Sequence, residues 1–120
     1  MKSLFYLVVS VLLLAFALVF SSNIVMAEED ESNMVNVLME NDKVRVVEAI
    51  RHPGTIVPMH THPSYAAYIF EACKVKFTFP DGKTAVKDIP AGKLVWSDGT
   101  THQVEVLGNT DLHVLHIDVK

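Results

Sequence analysis

The stretch from Pro53 to Pro63, PGTIVPMHTHP, holds the residues of this chain best suited to chemistry. Gly54 is followed by five residues and then by His60 and His62, one residue apart. On a β-strand alternate side chains share a face, so this spacing aims both imidazoles the same way. Two neutral imidazoles side by side form a bidentate grip for a divalent transition metal. The bland alternative is a half-exposed strand that happens to carry two histidines. Gly54 suits a tight turn feeding the strand, because glycine reaches backbone angles closed to other residues. Pro63 has no N–H to donate and ends the ladder just past the second histidine.

Those imidazoles need a β framework, and the sequence from Met34 onward reads as one. Val35 to Glu40 and Lys43 to Ile50 flank the turn Asn41-Asp42 as a hairpin. Thr55 to His62, Tyr65 to Glu71 and Lys74 to Phe79 follow. Pro80-Asp81-Gly82 then turns the chain into Lys83 to Ile89, and Pro90-Ala91-Gly92 into Leu94 to Ser97. After Asp98-Gly99 comes Thr101 to Leu107, and after Gly108-Asn109 comes Leu112 to Val119. None of these segments carries a helical period. Many short strands at regular spacing predict an all-β antiparallel sandwich or barrel.

The first 27 residues have a different texture. Lys2 is followed by an uncharged apolar run from Leu4 to Phe20, and Val25-Met26-Ala27 precedes the acidic cluster Glu28-Glu29-Asp30-Glu31. This layout predicts a helical secretory signal peptide over 1–27, cut after Ala27. The alternative is an uncleaved membrane anchor, for which the run is short. Residues 28–40 are then an acidic leader with the first strand, and 41–120 the barrel domain. At 120 residues the chain has room for one domain. Export to the periplasm or outside the cell is an oxidising fate, yet Cys73 is the only cysteine, so no internal disulfide forms. Cys73 reads as a buried, small apolar residue. The net charge of −4 supplies no basic patch for nucleic acid.

PGTIVPMHTHP together with THQVEVLGNT resembles the two motifs of the cupin superfamily, in particular its small single-domain members. Gly54, His60 and His62 match the first motif in spacing; its glutamate place holds Ala66 or Ala67 and its closing glycine place holds Cys73. Gly99 and His102 match the second motif, whose asparagine place holds Val106 and whose proline place holds Ser97. The resemblance spans roughly residue 41 to the C-terminus. It implies an antiparallel jelly-roll barrel with a metal in its mouth, held by His60, His62 and His102 and lacking the family's carboxylate. Three imidazoles form a competent set for zinc, copper, nickel or iron and leave positions open. Loss of the carboxylate weakens iron or manganese relative to zinc or copper. A carboxylate from a neighbouring strand, Glu48 or Glu71, is a candidate substitute, with solvent-facing charge as the bland reading of each.

Other residues are placed by alternation. His113 and His116 are three apart on the last strand and so face opposite sides. His116 shares a face with Leu112 and Val114 and is a candidate fourth nitrogen ligand; His52 reads as a surface turn residue. If His60 and His62 point inward, Ala66, Tyr68 and Phe70 are expected on the same side past the bend. Phe77, Val104 and Trp96 complete the expected pocket lining, with Val75, Phe79 and Val106 on the same faces. No arginine is expected in the pocket strands. Three function classes follow: an exported binding module for a metal and a small ligand, a metal-dependent dioxygenase-type enzyme on a small organic substrate, and a metal-free structural cupin. A homodimer is expected, because apolar residues occupy both faces of Val44 to Ile50 and of Leu112 to Val119.

Overall fold

The computed structural model describes residues 33–120, and the expected signal helix over 1–27 lies outside them. Nine strands follow in order: β1 Met34–Glu40, β2 Val44–Arg51, β3 Ile56–His62, β4 Tyr65–Ile69, β5 Cys73–Thr78, β6 Thr84–Ile89, β7 Leu94–Ser97, β8 Thr100–Leu107 and β9 Leu112–Val119. All nine coincide with the segments expected from alternation, and no helix occurs among the described residues. They form two antiparallel sheets, one in the order β1-β2-β9-β4-β7 and the other β3-β8-β5-β6. Among the described residues only the β1–β2 and β5–β6 pairs are hairpins. Elsewhere the chain crosses between sheets, so the layers face each other as a jelly roll and their inner faces bury the core.

That core is small and β-branched. Val75 and Val106 are fully buried, and Tyr65, Ala67, Ile69, Cys73, Val104 and Val114 are nearly so. Strict alternation puts these residues on inner faces: β8 buries His102, Val104 and Val106 and leaves Thr101, Gln103 and Glu105 half-buried. Cys73 is free and buried, and burial pushes its thiol pKa up, with Glu71 adding to the rise. It packs as a small apolar residue, in line with the sequence expectation.

Three expectations fail. Tyr65, Ala67 and Ile69 are the buried residues of β4, whereas Ala66 is half-buried and Tyr68 and Phe70 are exposed on the outer face. The chain leaves one sheet at His62 and enters the other at Tyr65, and a strand that changes sheets presents its opposite phase to the core. Arg45 and Arg51 were not expected in the pocket, yet they share the inner face of β2 with Val47 and Ala49. His52 is not a plain surface residue. It is half-buried, its Nδ1 lies 2.6 Å from Asp111 Oδ1, and its backbone N–H donates to Asn33 Oδ1 at 2.9 Å.

Two glycines hold the corners around the histidine strand. Gly54 takes φ +87° and its N–H donates to the Val106 carbonyl at 2.8 Å, which ties the entry of β3 to β8. Gly99 takes φ +119°, and a Cβ there would stand 3.2 Å from the His62 carbonyl oxygen. The turn into β8 therefore passes close against the exit of β3, where a side chain would both strain the backbone and crowd the His62 carbonyl.

Candidate metal centre

β3 and β8 are hydrogen-bonded neighbours, and their register sets His60 directly opposite His102. A register shift between Val57 and His60 brings this pair into line. Cross-strand partners on one face have touching side chains, and His62 shares the face of His60 through the one-residue spacing. The three rings converge: centroids are 4.6 Å apart for His60 and His62, 4.9 Å for His60 and His102, and 5.3 Å for His62 and His102. One nitrogen from each ring lies within 4.8 Å of the others. The trio singled out in the sequence is thus brought together on one inner face at the barrel mouth.

The electrostatics suit a cation. His60 Nδ1 lies 2.7 Å from the Pro58 carbonyl oxygen, which can only accept, so Nδ1 carries the proton and the lone pair of Nε2 points into the cluster. His62 Nε2 lies 2.8 Å from that atom and donates to it in the neutral pair. Burial first, then the neighbouring rings of His60, His62 and His116, push the His102 pKa down to about 4. Burial and the His60 ring lower that of His62, against an opposing pull from Asp118. Neutral imidazoles at neutral pH are ready ligands, with little proton competition to overcome. Converging nitrogens, an oriented His60 and depressed pKa values therefore fit a divalent transition ion such as zinc, copper, nickel, iron or manganese.

His116 faces inward, as its phase on β9 predicts. Its ring stacks on His62 with centroids 4.9 Å apart and an interplanar angle of 4°. Burial, then His62 and His60, push its pKa down to about 4. His113 points the other way, with Nε2 2.6 Å from Glu48 Oε1 and its ring against Phe70. Glu48 is therefore engaged on the outer face and Glu71 is exposed, so neither supplies the absent carboxylate. The acidic residue at this centre is Asp118, which sequence reasoning passed over. Its signal was available: His116-x-Asp118 repeats on β9 the spacing of His60-x-His62 on β3.

Behind the histidines lies a cavity of about 920 Å³. Val57, Phe77, Val104 and Val114 form apolar wall, and Arg45 and Arg51 add charge. Phe77 stacks on His102 with centroids 5.1 Å apart. The phenol beside the histidines is Tyr65, not Tyr68: its ring is 5.1 Å from His62 and 4.9 Å from His116. Ala66 and Tyr68 face away from the cavity. Trp96 reaches only its rim, 59% exposed, with its indole N–H donating to Asp98 Oδ1 at 3.0 Å.

Two facing antiparallel sheets in this strand order form the double-stranded β-helix of the cupin fold, and solved structures bear out that fold. The chain is similar to a cupin domain from Bordetella pertussis Tohama I, with 21% identity and a TM-score of 0.65 over 74% of this chain and 94% of that one. It is similar to an RmlC-like cupin family protein with a double-stranded β-helix fold from Methanocaldococcus jannaschii, with 13% identity and a TM-score of 0.60 over 77% and 84% of the two chains. It is also similar to the polyketide cyclase RemF from Streptomyces resistomycificus, with 20% identity and a TM-score of 0.55 over 74% and 66%. At these identities the likeness establishes the fold. No protein-family profile matches the chain, and no curated protein does.

Proposed function

We propose that this chain is an exported cupin-fold protein that binds a divalent transition metal through His60, His62 and His102 and a small ligand in the cavity behind them. The convergence of the three imidazoles on one point carries this reading. Three nitrogen ligands leave coordination positions open to water or a ligand. The ion, when bound, supplies Lewis acidity to whatever occupies those positions. The cavity walls favour an apolar molecule, and Arg45 and Arg51 favour one that carries a negative group. The N-terminal apolar run followed by Ala27 supports export.

The test is elemental analysis of the full chain purified from its own compartment, beside His60→Ala and His102→Ala. Near-stoichiometric metal in the parent and loss in both variants is the expected result, because two imidazoles hold a divalent ion weakly. Full occupancy in His60→Ala, or no metal in any preparation, would turn the reading to the metal-free structural cupin. Turnover on a small organic substrate, of the dioxygenase type, is the alternative that the arginine-bearing cavity favours. Oxygen uptake by iron-loaded protein with small aromatic acids separates it from a binding module.

The same reading includes a homodimer. The outer face of β2 and β9 sets Val46 opposite Ile117 and Glu48 opposite Leu115, and the adjoining edge strand β1 leaves Val37, Leu38 and Met39 about half exposed. A second copy laid on this surface would cover both the edge and its apolar residues.

A further inference from the structure

The centre contains a second group of ligand atoms. His62, His116 and Asp118 each offer one atom within 4.8 Å of the other two, and His62 belongs to both this group and the triad. His116 Nδ1 and Asp118 Oδ1 are buried and 4.0 Å apart, too far to bond each other. Neither has a hydrogen-bond partner among the described residues. A buried carboxylate oxygen and a buried imidazole nitrogen left without a partner are each destabilising, and a native fold seldom keeps two side by side without use. The obvious countercharge does not pair with it: Arg45 is the β2 residue opposite Asp118, but no ion pair joins the two, and Arg45 Nε lies 4.0 Å from Glu40 Oε1, a separation as long as that between His116 and Asp118. What suits both atoms is a cation beside His62.

We infer that the carboxylate arm of this metal centre lies on the last strand, with Asp118 as its anionic ligand and His116 as its additional nitrogen ligand, both adjoining the triad through His62. This rests on the metal-binding reading and extends it. A metal held by imidazoles alone keeps its full double charge in a half-buried pocket, whereas a carboxylate offsets part of that charge and favours oxygen-preferring ions such as manganese. Ala66, at the family's carboxylate place, cannot do this, and it sits on the outer face of β4 in any case. The same i,i+2 device serves both halves: His-x-His on β3 in one sheet and His-x-Asp on β9 in the other.

The test titrates cobalt(II) and manganese(II) into the metal-stripped full chain and into Asp118→Asn, His116→Gln and His60→Ala. Visible absorption reports the cobalt ligand field. Asp118→Asn should raise the cobalt dissociation constant by about tenfold or more, shift the cobalt bands, and weaken manganese further still. His116→Gln should also shift the bands, and it carries the test if Asp118→Asn does not fold by circular dichroism. Unchanged affinity and bands in both β9 variants, with loss in His60→Ala, would overturn this inference and leave the triad standing. Loss in the β9 variants with none in His60→Ala would instead keep the β9 ligands and overturn the triad. A parent chain that binds neither ion overturns both.

Discussion

The rings of His62 and His116 lie parallel, 4.9 Å apart, although one belongs to each sheet. This contact is where the two layers of the jelly roll meet chemically. β3 brings two imidazoles from one sheet, β8 adds its cross-strand partner, and β9 brings His116 and Asp118 from the other. Tyr65 closes the gap between them, with its ring about 5 Å from both His62 and His116. The centre is therefore a property of the sandwich and not of one motif.

The buried histidines make the metal-free protein sensitive to acid. In the unfolded chain His102 and His116 titrate near 6.5, and in the folded chain near 4. Between these values the unfolded state binds more protons, so stability is full above about pH 6.5 and falls as the pH drops toward 4. Urea midpoints of the metal-free protein should decline across that window, and His116→Gln should flatten the decline. A midpoint that holds steady from pH 7 to 4.5 would contradict the buried neutral rings.

The inverted phase of β4 is open to a paired substitution. Ala67 is 7% exposed within the core, while Ala66 lies on the outer face opposite Trp96. Ala67→Leu should overpack the interior and destabilise by about 1–3 kcal/mol. Ala66→Leu should change stability by no more than about 0.5 kcal/mol. Chemical denaturation of the two variants decides the phase, and the reverse order would restore the one expected from the sequence.

Gly99 links a turn to the metal centre. Its φ of +119° strains any other residue, and its Cβ would crowd the His62 carbonyl. Gly99→Ala should destabilise by about 1–3 kcal/mol and weaken metal retention by moving His62. Gly54→Ala has the strain alone, with no atom within 4 Å of the added carbon, and should be the milder change. Equal effects of the two on retention would mean that the close approach at Gly99 does not position His62.

The dimer surface predicts a mass near twice that of the chain by light scattering at micromolar concentration. Leu115→Lys together with Ile117→Lys, on the outer face of β9, should shift the protein toward monomer without loss of metal. A monomeric parent at that concentration would end the dimer proposal.

Alternation and turn chemistry determined most of what this chain builds. The nine strands are legible because valine, isoleucine and aromatic residues alternate with polar ones, and because Pro80-Asp81-Gly82, Asp98-Gly99 and Gly108-Asn109 interrupt the pattern. The shared face of His60 and His62 follows from their spacing, and the inward phase of His116 follows from Leu112 and Val114. Periodicity is a local property, however, and it carries no information across a crossover. Whether Tyr65 or Ala66 faces the core depends on how the chain swings from one sheet to the other at Pro63 and Ser64, which only the tertiary fold decides. The same holds for Arg45 and Arg51, whose strand lies before the histidine motif in sequence but beside β9 in space. Asp118, some sixty residues beyond the histidine pair, becomes a neighbour of His62 only because the last strand lies between β2 and β4 in the opposing sheet.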